Sequence, residues 1–164
     1  MNERNRIIGM LLLLALATAP PPSAGDWPHW RGPSQQGTSN ETGLPSTWSP
    51  EGENLLWDAA VGCRSTPLVF NDRVYMISRV GEDETRQERV VALDLNTGKL
   101  LWEHRFNAVL TDVVYHRLGW ANLALDPSTG YVYAHGVQGL FYCFDPDGKI
   151  LWSRSLTEEL GRIS

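Results

Sequence analysis

The chain has 164 residues, with 14 Lys or Arg against 19 Asp or Glu, a formal charge of -5, and 42% hydrophobic residues. The acidic balance excludes the basic footprint of a nucleic-acid binder, and apolar runs punctuated by 15 Gly and 10 Pro exclude a disordered chain. Seven Trp, all after Ser23, are several times ordinary usage and ask for a repeated reason.

Residues 1–25 read as an export signal. Arg4 and Arg6 give a positive start, Ile7 to Ala19 is an apolar run too short to span a membrane, and the small residues Ser23, Ala24 and Gly25 supply a cleavage site. No Cys stands near that site to carry a lipid. The expectation is a periplasmic or secreted protein with no membrane span once the signal is removed. Residues 26–52 form an extended leading segment, in which Asn40-Glu-Thr42 fits the glycosylation acceptor pattern, a pattern short enough to arise by chance.

Residues 53–164 carry an internal repeat. Asn54-Leu-Leu-Trp57 reads as one strand. Thr66 to Phe70, a turn at Asn71-Asp72, and Arg73 to Ser78 read as a hairpin. The stretch from Gly81 to Glu88 mixes Asp83, Glu84 and Glu88 with Arg86 and is expected to be a solvated loop. A second hairpin pairs Arg89–Leu93 with Lys99–Arg105 around Asp94, Asn96, Thr97 and Gly98; the carboxylate can accept backbone N–H groups and Gly98 can take a positive φ.

The connection from Asn107 to Gly119 is long for a hairpin. With Asp112, Tyr115, His116 and Arg117 it is the best local candidate for a ligand or partner contact, although its Val and Leu also suit a loop packed over a blade edge. The pattern then recurs: Ala121–Leu125, a turn from Asp126 to Gly130, and Tyr131–Ala134, followed by Tyr142-Cys-Phe-Asp-Pro-Asp-Gly-Lys-Ile-Leu-Trp152. That last run aligns with Val91–Trp102 after deletion of one turn residue. Trp57, Trp102 and Trp152 are therefore one position met three times at a spacing suited to propeller blades.

Val74–Ile77, Val90–Leu93 and Leu140–Phe144 are apolar at successive positions, whereas an antiparallel sheet with one wet face alternates. Four-stranded units covered on both faces point to an all-β chain of antiparallel propeller blades. A β-sandwich is the competing architecture, since many short strands with frequent turns also fit it. Cys63 and Cys143 could form one disulfide in an oxidising compartment, but no disulfide framework surrounds either, which favours two free thiols. His29, His104, His116 and His135 show no metal-ligand spacing.

Ala92-x-Asp94-x-x-Thr97-Gly98-x-x-x-Trp102 resembles the tryptophan-docking motif of the pyrroloquinoline-quinone-like (PQQ-like) β-propeller repeats at all its fixed positions. The second copy keeps Asp145, Gly148 and Trp152, with Cys143 in place of Ala. Asp26-Trp-Pro-His-Trp-Arg-Gly-Pro, with Gly43-Leu-Pro and Trp48, resembles the start of exported bacterial members. The resemblance implies a ring of seven or eight blades closed by an N-terminal strand, which would here be 53–60, with blades at about 64–106 and 119–156. Two blades cannot close a ring, so the remaining blades are expected from a longer chain.

The family implied by the resemblance divides into non-catalytic propellers and quinoprotein dehydrogenases. The first class implies a binding or interaction scaffold with a protein or polysaccharide partner and no cofactor. The alternative, the N-terminal part of an alcohol or sugar dehydrogenase, implies PQQ held with Ca2+, an adjacent-cysteine disulfide and an Asp base. No adjacent cysteines or evident Ca2+ ligands stand in these residues, which favours the scaffold.

Overall fold

The computed structural model describes residues 25–108 and 117–161. Within them lie two four-stranded antiparallel sheets, each with its strands in chain order. The first holds β1 (Leu68–Phe70), β2 (Arg73–Val80), β3 (Gln87–Asp94) and β4 (Leu100–Asn107). The second holds β5 (Ala124–Asp126), β6 (Tyr131–His135), β7 (Leu140–Phe144) and β8 (Ile150–Ser155), followed by the one-turn helix α1 (Leu156–Leu160). Each sheet is one blade. The residues expected to form an export signal lie, but for Gly25, outside the described residues. Among those residues no helix is long and apolar enough to cross a membrane.

Turn chemistry sets these hairpins. Asn71 and Asp72 both sit at positive φ, 48° and 57°, the primed turn whose twist matches its flanking strands, and Asn and Asp tolerate that region better than most residues. Ala92 pairs with Trp102 in blade one, and Cys143 pairs with Trp152 in blade two. Each ladder shifts register at that same place, between Ala92 and Leu93 and between Cys143 and Phe144. The residue deleted from the second copy is thus absorbed inside the turn, and every side chain of β8 keeps the face its counterpart has in β4.

The continuous apolar strands are explained by burial on two sides. One face of blade one, Tyr75, Ile77, Val90, Ala92 and Phe106, packs with Leu123, Leu125, Val132, Ala134 and Phe144 of blade two. Its other face, Val74, Met76, Val91 and Leu93, is covered by Trp57, Ala59, Val61 and Cys63. The face of blade two turned away from blade one is open, with Trp152 at 40% exposure.

Two expectations are corrected. Residues 53–60 form no strand; they run as irregular chain across blade one, because no described strand lies alongside to supply a ladder. Glu88 is not solvated: it belongs to β3 and is 1% exposed, since it shares a sheet face with Val90 and Ala92 and that face is covered by blade two. The rest of the stretch after Gly81 does form a short exposed 3-10 turn at Asp83–Thr85.

Candidate functional site

Trp102 reaches from β4 across to blade two. Its Nε1–H donates to the Pro146 carbonyl at 2.9 Å, and its ring lies 5.4 Å from that of Phe144 and 6.1 Å from that of Tyr75. Beneath it is Gly148, at φ 85°, where a Cβ would stand 2.6 Å from the indole. Glycine is required there twice over, by the backbone and by the contact. Trp57 repeats the arrangement one blade earlier: Nε1–H donates to the Leu95 carbonyl at 2.7 Å, and a Cβ on Gly98, at φ 67°, would meet the indole at 2.6 Å. Trp152 holds the corresponding place in blade two, beside Phe141 and Tyr133 on the open face.

The aspartates prepare the turns that receive the rings. Asp94 Oδ1 accepts from the Thr97 hydroxyl at 2.7 Å and from the Thr97 and Asn96 amides at 2.8 and 3.1 Å. These bonds, the Thr97 hydroxyl first, hold its carboxyl below the ordinary aspartate range. Asp145 Oδ1 accepts from the amides of Lys149 and Asp147 at 2.9 and 3.0 Å. Ala92 lies buried opposite Trp102 in the ladder. The motif residues Ala92, Asp94, Thr97, Gly98 and Trp57 thus gather on blade one, and Trp102 joins Asp145 and Gly148 across the junction.

Two participants carry no signal in the motif. Arg73 on β2 donates to the Pro146 carbonyl and, at 3.0 Å, to Asp147 Oδ1, so Pro146 receives both Arg73 and Trp102. Glu88 joins the blades elsewhere: its Oε1 accepts from Gly119 N and its Oε2 from Val137 N, each at 2.8 Å. Alternation along β3 would have placed Glu88 on the buried face; nothing in the sequence singles out Arg73.

Of the proposed contact loop, Asp112, Tyr115 and His116 lie outside the described residues, and Arg117 is exposed. Beyond Arg117, Leu118 and Gly119 help line a cavity of about 160 Å³ with Gly62, Cys63, Arg64, Ser78 and Arg79, and the Arg64 guanidinium lies 5.8 Å over the ring of exposed Trp120. Both cysteines are free thiols; Cys63 Sγ approaches Met76 Sδ at 3.6 Å, and burial pushes both thiols up. Burial lowers His104, which packs between Phe106, Tyr142 and Phe144. Among the described residues no three His, Cys, Asp or Glu side chains lie close enough to hold a metal ion.

Residues 86–163 match the family described as outer membrane protein assembly factor BamB. Among solved structures, BamB from Moraxella catarrhalis is 22% identical, with a TM-score of 0.46, over 60% of this chain and 27% of that one. A europium-containing methanol dehydrogenase is 22% identical, with a TM-score of 0.39, over 59% of this chain and 16% of that one. The chain thus spans less than a third of the length of either structure. No curated protein matches it. The family match over residues 86–163 and two four-stranded blades joined through a tryptophan seated on a glycine turn support PQQ-like β-propeller repeats in this chain.

Proposed function

We propose that the chain belongs to an extracytoplasmic propeller that serves as a non-catalytic binding scaffold, with residues 26–52 as a leading segment and 53–164 as its first repeats. The observation that carries this reading is the use made of the motif: Asp94, Thr97, Gly98, Trp102, Asp145 and Gly148 are engaged in closing turns and joining blades. The family match, to an outer membrane protein assembly factor, supports a protein partner. Partner contact is assigned to the loop carrying Asp112, Tyr115, His116 and Arg117, next to the exposed Trp120, because long connections between blades are where a rigid scaffold presents contacts.

A photo-crosslinking residue placed at position 117 of the full-length protein, in cells, should yield one discrete protein adduct that position 96, on a blade-one turn, does not. Titration of the same protein with PQQ and Ca2+, followed by dye-linked oxidation of alcohols and sugars, separates the dehydrogenase alternative. Saturable quinone binding with turnover would overturn the scaffold reading; an adduct at 117 with no quinone binding is the outcome expected.

A further inference from the structure

The cavity between the blades is left unused by the tryptophan docking. Three stretches of chain enclose it: Gly62 to Arg64 ahead of β1, Ser78 and Arg79 toward the end of β2, and Leu118 and Gly119 ahead of β5. Each stretch is tied down. Cys63 bridges to Ser78, the Ser65 hydroxyl donates to the Ile77 carbonyl at 3.2 Å, and the Thr66 amide donates to Asn122 Oδ1 at 3.0 Å. Gly119, at φ 70°, donates its amide to Glu88 Oε1 at 2.8 Å and lies so near Ser78 that a Cβ would stand 2.8 Å from its backbone. The walls are therefore held by the fold itself, which lowers the ordering cost of binding there.

Charge and size limit what fits. Arg64 and Arg79 line the cavity and Arg117 adjoins Leu118 in sequence, whereas no Asp or Glu stands among the described lining residues. Glu88, the ladder partner of Arg79, has its two oxygens on the amides of Gly119 and Val137. Cys63 stays a neutral thiol, since burial pushes it up, and its Sγ is directed at the Ser65 carbonyl at 3.4 Å. In a chain of net charge -5, this is a local gathering of guanidinium groups. The volume, about 160 Å³, has room for about five waters at ~30 Å³ each and falls below the roughly 300 Å³ at which small-molecule sites begin, so it suits a single side chain. Trp120 follows Gly119 with its ring exposed and the Arg64 guanidinium 5.8 Å over it. An arginine over an indole can meet a carboxylate edge-on while the ring takes its face, and Arg and Trp are the residues on which binding energy most often concentrates.

We infer that this cavity anchors an acidic side chain of the partner protein, an Asp or Glu carboxylate received by Arg64 and Arg79, with a neighbouring apolar residue of the partner against Trp120. The inference rests on the scaffold reading and adds to it the chemistry of the partner. Guanidinium groups give a carboxylate charge-assisted bonds that a neutral amide in its place forfeits.

The probes are acetyl-Leu-Asp-amide and its near-isostere acetyl-Leu-Asn-amide, titrated into the full-length protein and followed by NMR at the Leu118 and Gly119 amides and the Trp120 indole N–H. The Asp peptide should shift all three saturably and bind at least about tenfold more tightly than the Asn peptide. Arg64→Gln, at an exposed position that the fold tolerates, should largely remove that preference. No shift, equal affinity for the two peptides, or a preference undiminished in Arg64→Gln overturns the inference. The crosslink at position 117 is read separately. Its absence in the unsubstituted protein counts against the scaffold reading, whereas an adduct whose yield Arg64→Gln leaves unchanged counts against the acidic anchor alone.

Discussion

Replacing Trp102 with Ala removes three things at once. Its indole N–H loses the Pro146 carbonyl at 2.9 Å, a bond worth about 1 kcal/mol net. Its ring contacts with Phe144 and Tyr75 are lost, each aromatic pair contributing about 0.5–1.5 kcal/mol beyond burial. A space opens above Gly148 that the glycine turn cannot fill. Truncation of a large buried aromatic costs about 3–5 kcal/mol, and Trp102 is only partly buried, so a loss of about 3 kcal/mol is expected. Trp152 holds the equivalent register but lies on the open face at 40% exposure, so Trp152→Ala should cost about 1 kcal/mol or less. Urea unfolding followed by circular dichroism, at concentrations low enough to keep the chain monomeric, compares the two with an unchanged m-value. Equal losses in the two variants, or a Trp102→Ala midpoint indistinguishable from the parent, would refute the inter-blade placement of Trp102.

Gly148→Ala should destabilise by about 2 kcal/mol or more, because the added Cβ both strains a positive φ and meets the Trp102 ring; unfolding midpoints check it, and Gly43→Ala, at a positive φ with nothing near its Cβ, should cost less. Asp94→Asn should lower the thermal midpoint at neutral pH. The parent carboxyl is held below the ordinary range, so its contribution is present above the unfolded value and lost as pH falls through the folded one, and the two melting curves should converge in acid. The chain should self-associate through the open face of blade two, where Trp152 is partly exposed; sedimentation velocity should show concentration-dependent species that Trp152→Lys reduces, and a monomer at every concentration would count against it.

Much of the fold was legible in the sequence because the repeat states the same local physics twice. Turn residues at Asp94–Gly98 and Asp145–Gly148, apolar runs at Val90–Leu93 and Leu140–Phe144, and tryptophans in register together specify blades. Less legible was anything decided by a neighbour. Trp57 reads as part of a strand, yet a ladder needs a partner strand, and only the docking of its ring on Gly98 is present among the described residues. Glu88 reads as solvated among other charges; two amides of the next blade, 31 and 49 residues away in sequence, make its burial tolerable. Arg73 likewise acts through Pro146 and Asp147, a contact across 73 and 74 residues that no local pattern encodes.

The docking of two tryptophans on two glycines is measured most directly by the Hα resonances of Gly98 and Gly148. Each glycine lies against an indole, so both resonances should be displaced upfield by ring current. Trp57→Ala should return Gly98 alone to its ordinary position, and Trp102→Ala should return Gly148 alone. Ordinary shifts in the unsubstituted protein, or displacements that survive loss of the assigned ring, would contradict the blade-to-blade docking on which the propeller reading stands.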